Sequence, residues 1–269
     1  MNRPRMIVLF DAVGTVIKPE PDVNEVYYRL GIKYGSRLSR SAIGRRITES
    51  RRRIFNLGES AEARYAALSN PFQVPDELNS DDEIEREMWR QLVGDVFRDL
   101  ESPDELFDEL WDHFERPEHW RVYADVEACW EELQRHGIEI GLASNFDSRL
   151  TSIAAMIGPL SSASFVFCSA QIGFRKPSPL FYQQVESAIR CVGDDPNGQL
   201  AILMVGDDFE NDFVAPRLAG WNSVWLNRER PIGSESSFGA RQKREVTSLF
   251  EFTQWVLESR QFSGQSRLD

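Results

Sequence analysis

The chain has 269 residues, 43 acidic and 31 basic side chains, a formal net charge of −12, and 41% hydrophobic and 11% aromatic residues. That composition supports one or two packed domains and excludes a domain-sized disordered region. No run approaches the roughly 20 apolar residues of a membrane span, Met1–Arg5 carries no signal-type apolar stretch, and the negative charge argues against a nucleic-acid partner.

Met6–Phe10 (MIVLF) is an uninterrupted apolar run that ends at Asp11 and a Gly-containing turn, as a strand buried on both faces would. Residues 18–120 break the rhythm. They are charged and hold no convincing strand, and they predict helices over Asp22–Tyr34, Ser41–Asn56, Asp81–Leu100 and Pro103–Phe114, with a loop at Asn70–Pro75. Within them, Arg37, Arg40, Arg45, Arg46, Arg51, Arg52 and Arg53 form a basic run, either the wet face of a helix or a wall that attracts an anion. Residues 76–132 follow with 21 acids against 5 arginines.

From about Tyr123 strands and helices alternate. Asp125–His136 predicts a helix stopped by Gly137, and Ile138–Ala143 a strand. Asp147–Ile157 predicts a helix stopped by Gly158, where a glycine can take the left-handed cap conformation. Phe165–Cys168 predicts the next strand, and Ser178 with Pro179 the start of a helix. Ala201–Val205 is a strand, the stretch around Phe213–Ala219 is helical up to Gly220, and Ser223–Leu226 is a strand. The tail beyond Ser259 reads as frayed. The expected architecture is a three-layer, Rossmann-like α/β core with a parallel sheet (residues 1–17 and 121–269) and an inserted all-helical cap (residues 18–120).

Three cysteines, Cys129, Cys168 and Cys191, are odd in number and widely spaced, which argues against a disulfide framework. His113, His119 and His136 are too scattered for a zinc cluster. The expectation is a soluble, cytoplasmic protein. No GxGxxG, Walker-type or GxSxG motif is present, removing dinucleotide, P-loop and serine-hydrolase chemistry.

Four polar segments fall at or soon after the carboxyl ends of predicted strands, where open α/β sheets bind ligands. They are Asp11–Thr15, Ser144–Asn145, Lys176–Pro177, and Gly206-Asp207-Asp208 with Asn211-Asp212. Carboxylates of Asp11, Asp207 and Asp208 or Asp212 on one rim would repel one another by several kcal/mol without a cation among them. Oxygen ligands without His or Cys favour Mg²⁺. Asp11 could serve as a covalent nucleophile, and Lys176 would neutralise it and the transferring group. The chain has only four lysines, so one in a strand-end loop looks selected as a compact point charge. Trp89, Trp111, Trp120 and Trp130 read as core, Tyr27, Tyr28 and Phe55 are open to either core or crevice, and Cys168 reads as a small buried hydrophobe.

FDAVGT, SNFDSRL, RKPSPLFY and VGDDFEND resemble, in order, the four motifs of the haloacid dehalogenase-like hydrolase superfamily, in its helical-cap branch. The run from Trp120 to Leu150 is similar to the domain-containing protein 3 group of that branch. The resemblance implies that Asp11 is the nucleophile and that the backbone carbonyl of Val13 is a metal contact. It implies that Thr15 and Ser144 are phosphate- or nucleophile-binding hydroxyls beside Asn145, and that Lys176 is the motif-three lysine. Asp207 would be the acidic metal ligand, Asp212 the second acid of that motif, and Asp208 a helper, directly or through water.

One position departs from the phosphatase pattern. The acid that protonates the leaving alkoxide is replaced by Val13, and general acid catalysis is typically worth 10²–10⁴-fold. The expected activity is Mg²⁺-dependent hydrolysis of a small phosphorylated metabolite. The alternatives are a catalytically weak, phosphate-sensing or partner-binding protein, and a metal-independent 2-haloacid dehalogenase. Turnover lost with metal removal selects the first.

Overall fold

The computed structural model describes residues 5–55, 78–192, 199–230 and 245–262. The predicted loop Asn70–Pro75 lies outside these residues, as does the tail beyond 262. The helices and strands that the sequence reading names fall within a few residues of their observed bounds where these are described.

The first strand, β1 (Arg5–Phe10), is followed after a tight turn by the three-residue β2 (Ile17–Pro19). Among the described residues, four helices come next: α1 (Val23–Lys33), α2 (Arg40–Ile54), α3 (Asp82–Val96) and α4 (Asp104–Glu115). Their starts are chemically encoded. Asp22, Ser39 and Asp81 each accept a backbone N–H three residues on, which satisfies a donor the helix itself cannot. The four helices bury their own apolar cluster, built on Tyr27, Ile43, Leu92, Phe97 and Phe107.

The chain returns through β3 (Trp120–Val122), which pairs antiparallel with β2. This ribbon corrects the expectation that residues 18–120 are all helical: Lys18, Pro19 and Trp120 are strand residues. Three-residue strands carry too little periodicity to show in sequence.

Beyond it lie α5 (Val126–Arg135), β4 (Glu139–Ser144), α6 (Arg149–Met156), β5 (Phe165–Cys168), the single turn α7 (Ser169–Ile172) and α8 (Pro179–Val192). Then come β6 (Leu200–Gly206), a π-helical turn over Phe209–Val214, α9 (Ala215–Leu218), β7 (Asn222–Leu226), β8 (Glu245–Val246) and α10 (Leu249–Phe262). The sequence reading missed β8 and α10 and expected fraying from residue 260, where the helix continues to Phe262. Gly158 also differs from expectation. Its φ of −30° is right-handed, and α6 ends at Met156 without a glycine cap.

The six strands are all parallel, in the order β5-β4-β1-β6-β7-β8. Alternate residues of β1 feed opposite faces. Val8 and Phe10 pack with Trp130, Leu150 and Phe252 on one side, and Ile7 and Leu9 with Phe181, Val185 and Met204 on the other. A strand buried on both faces must read as an unbroken apolar run, as β1 does. Strand order reverses at β1, so the carboxyl ends of β1, β4 and β6 open one crevice at the topological switch point. No helix among the described residues is long and apolar enough to cross a membrane.

Candidate active site

Asp11 follows β1 directly. Its amide donates to the Val205 carbonyl at 2.8 Å, extending the β1–β6 ladder by one residue and fixing it beside Gly206 and Asp207. It is 8% exposed. The next five residues fold back on themselves, with the Ala12 carbonyl accepting the amides of Thr15, Val16 and Ile17. Gly14 has φ +92°, and a Cβ there would run into the Asp207 carboxylate. Glycine thus serves both the backbone conformation and the close approach of the acid.

Lys176 is buried at the centre of the site. Its ammonium donates to Asp11 Oδ1 at 2.8 Å, Asp212 Oδ1 at 2.6 Å and the Ala143 carbonyl at 2.9 Å, using all three N–H groups. Burial alone would discharge it, but the Asp11 and Asp212 carboxylates outweigh that cost and hold its pKa above the usual lysine value. Asp11 Oδ2 has no hydrogen-bond partner among the described residues.

Asp207 is an exposed residue at the crevice, although protein atoms crowd its carboxyl group. Burial, then the negative charges of Asp11 and Asp208, push its carboxyl up to about 7 against the opposing Thr15 hydrogen bond. Asp212 is completely buried. Desolvation and the neighbouring carboxylates raise its pKa although the Lys176 charge pulls it down. Oxygens of Asp11, Asp207 and Asp212 lie within 4.8 Å of one another. A single ammonium faces three carboxylates in an all-oxygen donor set, and that arrangement fits a hard divalent cation.

Asp11, Lys176, Asp207 and Asp212 therefore converge as the sequence reading expected. Three other residues are placed differently. The Thr15 hydroxyl is engaged by Asp207, donating to Oδ1 at 3.0 Å and accepting the Asp207 amide at 3.1 Å. Asn145 uses both ends of its amide on the Lys176 backbone, at 2.7 and 2.9 Å, and is a clamp for that loop. Asp208 lies outside the acid cluster, because its Oδ1 accepts the Glu210 and Asn211 amides at the start of the π-helical turn. Ser144 is 3% exposed and its hydroxyl has no partner among the described residues, which leaves it free for a ligand. Val13 carries its side chain 38% exposed, and among the described residues no donor reaches its carbonyl.

Residues that the sequence reading passed over support this set. Arg228 donates to the Thr15 carbonyl and grips both oxygens of Asp125, and the Trp225 indole donates to the Asp207 carbonyl at 2.9 Å. Their partners are remote in sequence, so no local signal marks them. Of the aromatics, Tyr27 stacks on Phe97 inside the helical cluster and not in the crevice, and Trp130 is core. Burial raises the Cys168 thiol to about 11, consistent with an inert hydrophobe. Arg40 and Arg53 of the basic run are paired to acids of the helical unit and Arg46 binds the Val96 carbonyl, which leaves less of an anion-attracting wall.

Acids and a lysine gathered at parallel strand ends beneath a helical insertion define a capped α/β hydrolase. The chain belongs to the haloacid dehalogenase-like hydrolase family, whose model matches residues 6–220. It is similar to haloacid dehalogenase-like hydrolase domain-containing protein 3 of Danio rerio (27% identity, 85% of this chain and 88% of that one) and of Homo sapiens (24%, 81% and 80%). Among solved structures it shares its fold with the putative HAD-hydrolase YfnB of Bacillus subtilis bound to magnesium (TM-score 0.61, 16% identity, 94% and 99% covered). It also shares it with the L-2-haloacid dehalogenase of Xanthobacter autotrophicus (0.61, 19%, 94% and 98%).

Proposed function

We propose that the protein is a Mg²⁺-dependent phosphatase acting on a small phosphate monoester through an aspartyl-phosphate on Asp11. The observation that carries this reading is the acid cluster, three carboxylates against one ammonium, which neither charge balance nor a metal-free dehalogenase requires. Asp11, Asp207 and the Val13 carbonyl would hold the ion, with Asp212 behind them. When bound, it would screen the charge between the nucleophile and an anionic phosphoryl group.

The chain's own part follows from the hydrogen bonds. Lys176 holds Asp11 by Oδ1 and leaves Oδ2 to attack phosphorus. The new Oδ2–P bond forms as the ester P–O bond breaks, and Lys176 and the Ser144 hydroxyl stabilise charge on the phosphoryl oxygens. The leaving oxygen takes its proton from water, since Val13 has none to give. Water then cleaves the aspartyl-phosphate, releasing phosphate and restoring the carboxylate.

The test is steady-state hydrolysis of p-nitrophenyl phosphate, whose leaving group hardly needs a proton, for wild type and Asp11→Asn with Mg²⁺ or EDTA. Turnover is expected only for wild type with Mg²⁺, and alkyl phosphates are expected to react about 10²-fold more slowly or worse. Equal rates for wild type and Asp11→Asn would overturn the proposal. Metal-independent halide release would transfer the site to dehalogenation.

A further inference from the structure

Glu85 lies in the first turn of α3, in the helical unit, yet it is only 2% exposed and most of its contacts belong to the sheet domain. Arg175, the residue before Lys176, meets both of its oxygens at 2.9 Å. The Ser80 hydroxyl donates to Oε1 at 2.6 Å, and the Ser169 hydroxyl, which accepts the Phe146 amide, shares its one proton between the same Oε1 at 3.2 Å and the Phe146 carbonyl at 3.1 Å. One carboxylate thereby touches both loops beside the nucleophile. Arg175 leads into Lys176, and Ser169 leads through Phe146 to Asn145, which clamps the Lys176 backbone. The segment entering α3 reinforces the contact, because the Arg175 amide donates to the Leu78 carbonyl and the Ser80 amide to the Gly173 carbonyl.

We infer that Glu85 is a positioning residue for Lys176: seated on Arg175, it fixes the loop from which the ammonium reaches Asp11, so docking of the helical unit and placement of the lysine are one event. A buried charge pair suits this role, since each partner left alone would be an uncompensated charge and partial docking is strongly disfavoured. Only the kinetic arm of its test rests on the phosphatase reading.

The test compares the full chain with Glu85→Gln by amide hydrogen exchange, without substrate. Exchange at the Lys176 and Phe146 amides is expected to rise about 10-fold or more along with that of α3. In the same variant, kcat for p-nitrophenyl phosphate is expected to fall about 10-fold with KM nearly unchanged, as a misplaced reacting group requires. Faster exchange confined to α3, with Lys176 and Phe146 as in wild type, would overturn the inference. Absent turnover in wild type would overturn the phosphatase reading instead and leave the exchange result to decide. If Glu85→Gln does not fold, Arg175→Lys, which keeps the charge and loses the guanidinium nitrogen that meets both oxygens, is read by the same two criteria.

Discussion

Thr15 shows how far a residue type alone carries an assignment. A hydroxyl near a nucleophile fits a phosphate ligand equally well on paper, but here it is closed in a two-way bond with Asp207. Thr15→Val is therefore expected to weaken the apparent Mg²⁺ affinity about 10–100-fold, the usual cost of losing an outer-shell partner, while kcat at saturating Mg²⁺ stays within a few-fold. Metal titration of the rate checks this, and a loss of kcat at unchanged affinity would return the hydroxyl to the phosphate. The same comparison explains what sequence disclosed at this scale. Asp11, Lys176, Asp207 and Asp212 were legible because charged groups at several strand ends have few structural reasons to be there. The partners of Thr15, Asn145 and Asp208 were not, because neutral donors and a helix-capping acid are satisfied by whatever the loop geometry brings near.

Among the strands, the long ones were readable and the short ones were not. β1, β4 and β6 are apolar runs whose burial on two faces leaves one interpretation, whereas β2, β3 and β8 are two or three residues long and owe their existence to their partners. The junction between α4 and β3 carries an element-scale consequence. His113 at the end of α4 stacks on His119 with ring centroids 3.6 Å apart, and His119 Nδ1 donates to the His113 carbonyl. Burial, then the charges of His119, Arg116 and Arg29, lower the His113 pKa from its ordinary 6.5 to about 4, against a small opposing pull from Glu109. The unfolded chain thus binds a proton on this group between pH 6.5 and 4 that the folded chain refuses. Stability from this site is complete above about pH 6.5 and falls as pH drops toward 4, by roughly 1–2 kcal/mol after allowance for solvent screening. An NMR titration should place His113 near pH 4. A His113→Gln variant should lose that part of the acid sensitivity, and a midpoint near 6.5 would contradict the account.

At the scale of the whole molecule, the question is whether the helical unit and the sheet domain behave as two bodies. Each has its own apolar cluster, which taken alone argues for independent units. The contacts between them argue otherwise. Glu85 and Arg175 form a buried ion pair in which one guanidinium nitrogen meets both carboxylate oxygens, and the Asp82 carboxylate accepts both the Ser148 amide and hydroxyl at 2.8 and 2.7 Å. Arg149 lies 3.4 Å from the centre of the Trp111 ring and donates to the Trp111 carbonyl. Phe114, Trp120 and Phe146 form a continuous aromatic path between the two clusters. Separating the bodies would break all of these contacts at once, against a typical domain's total stability of roughly 5–15 kcal/mol. Partial separation gives up these contacts without the chain entropy that complete unfolding gains. Calorimetry of the intact chain is expected to show one transition whose calorimetric and van't Hoff enthalpies agree. Two resolved transitions would mean that the helical unit detaches on its own, and that the crevice is closed by an equilibrium among open states instead of by a standing contact.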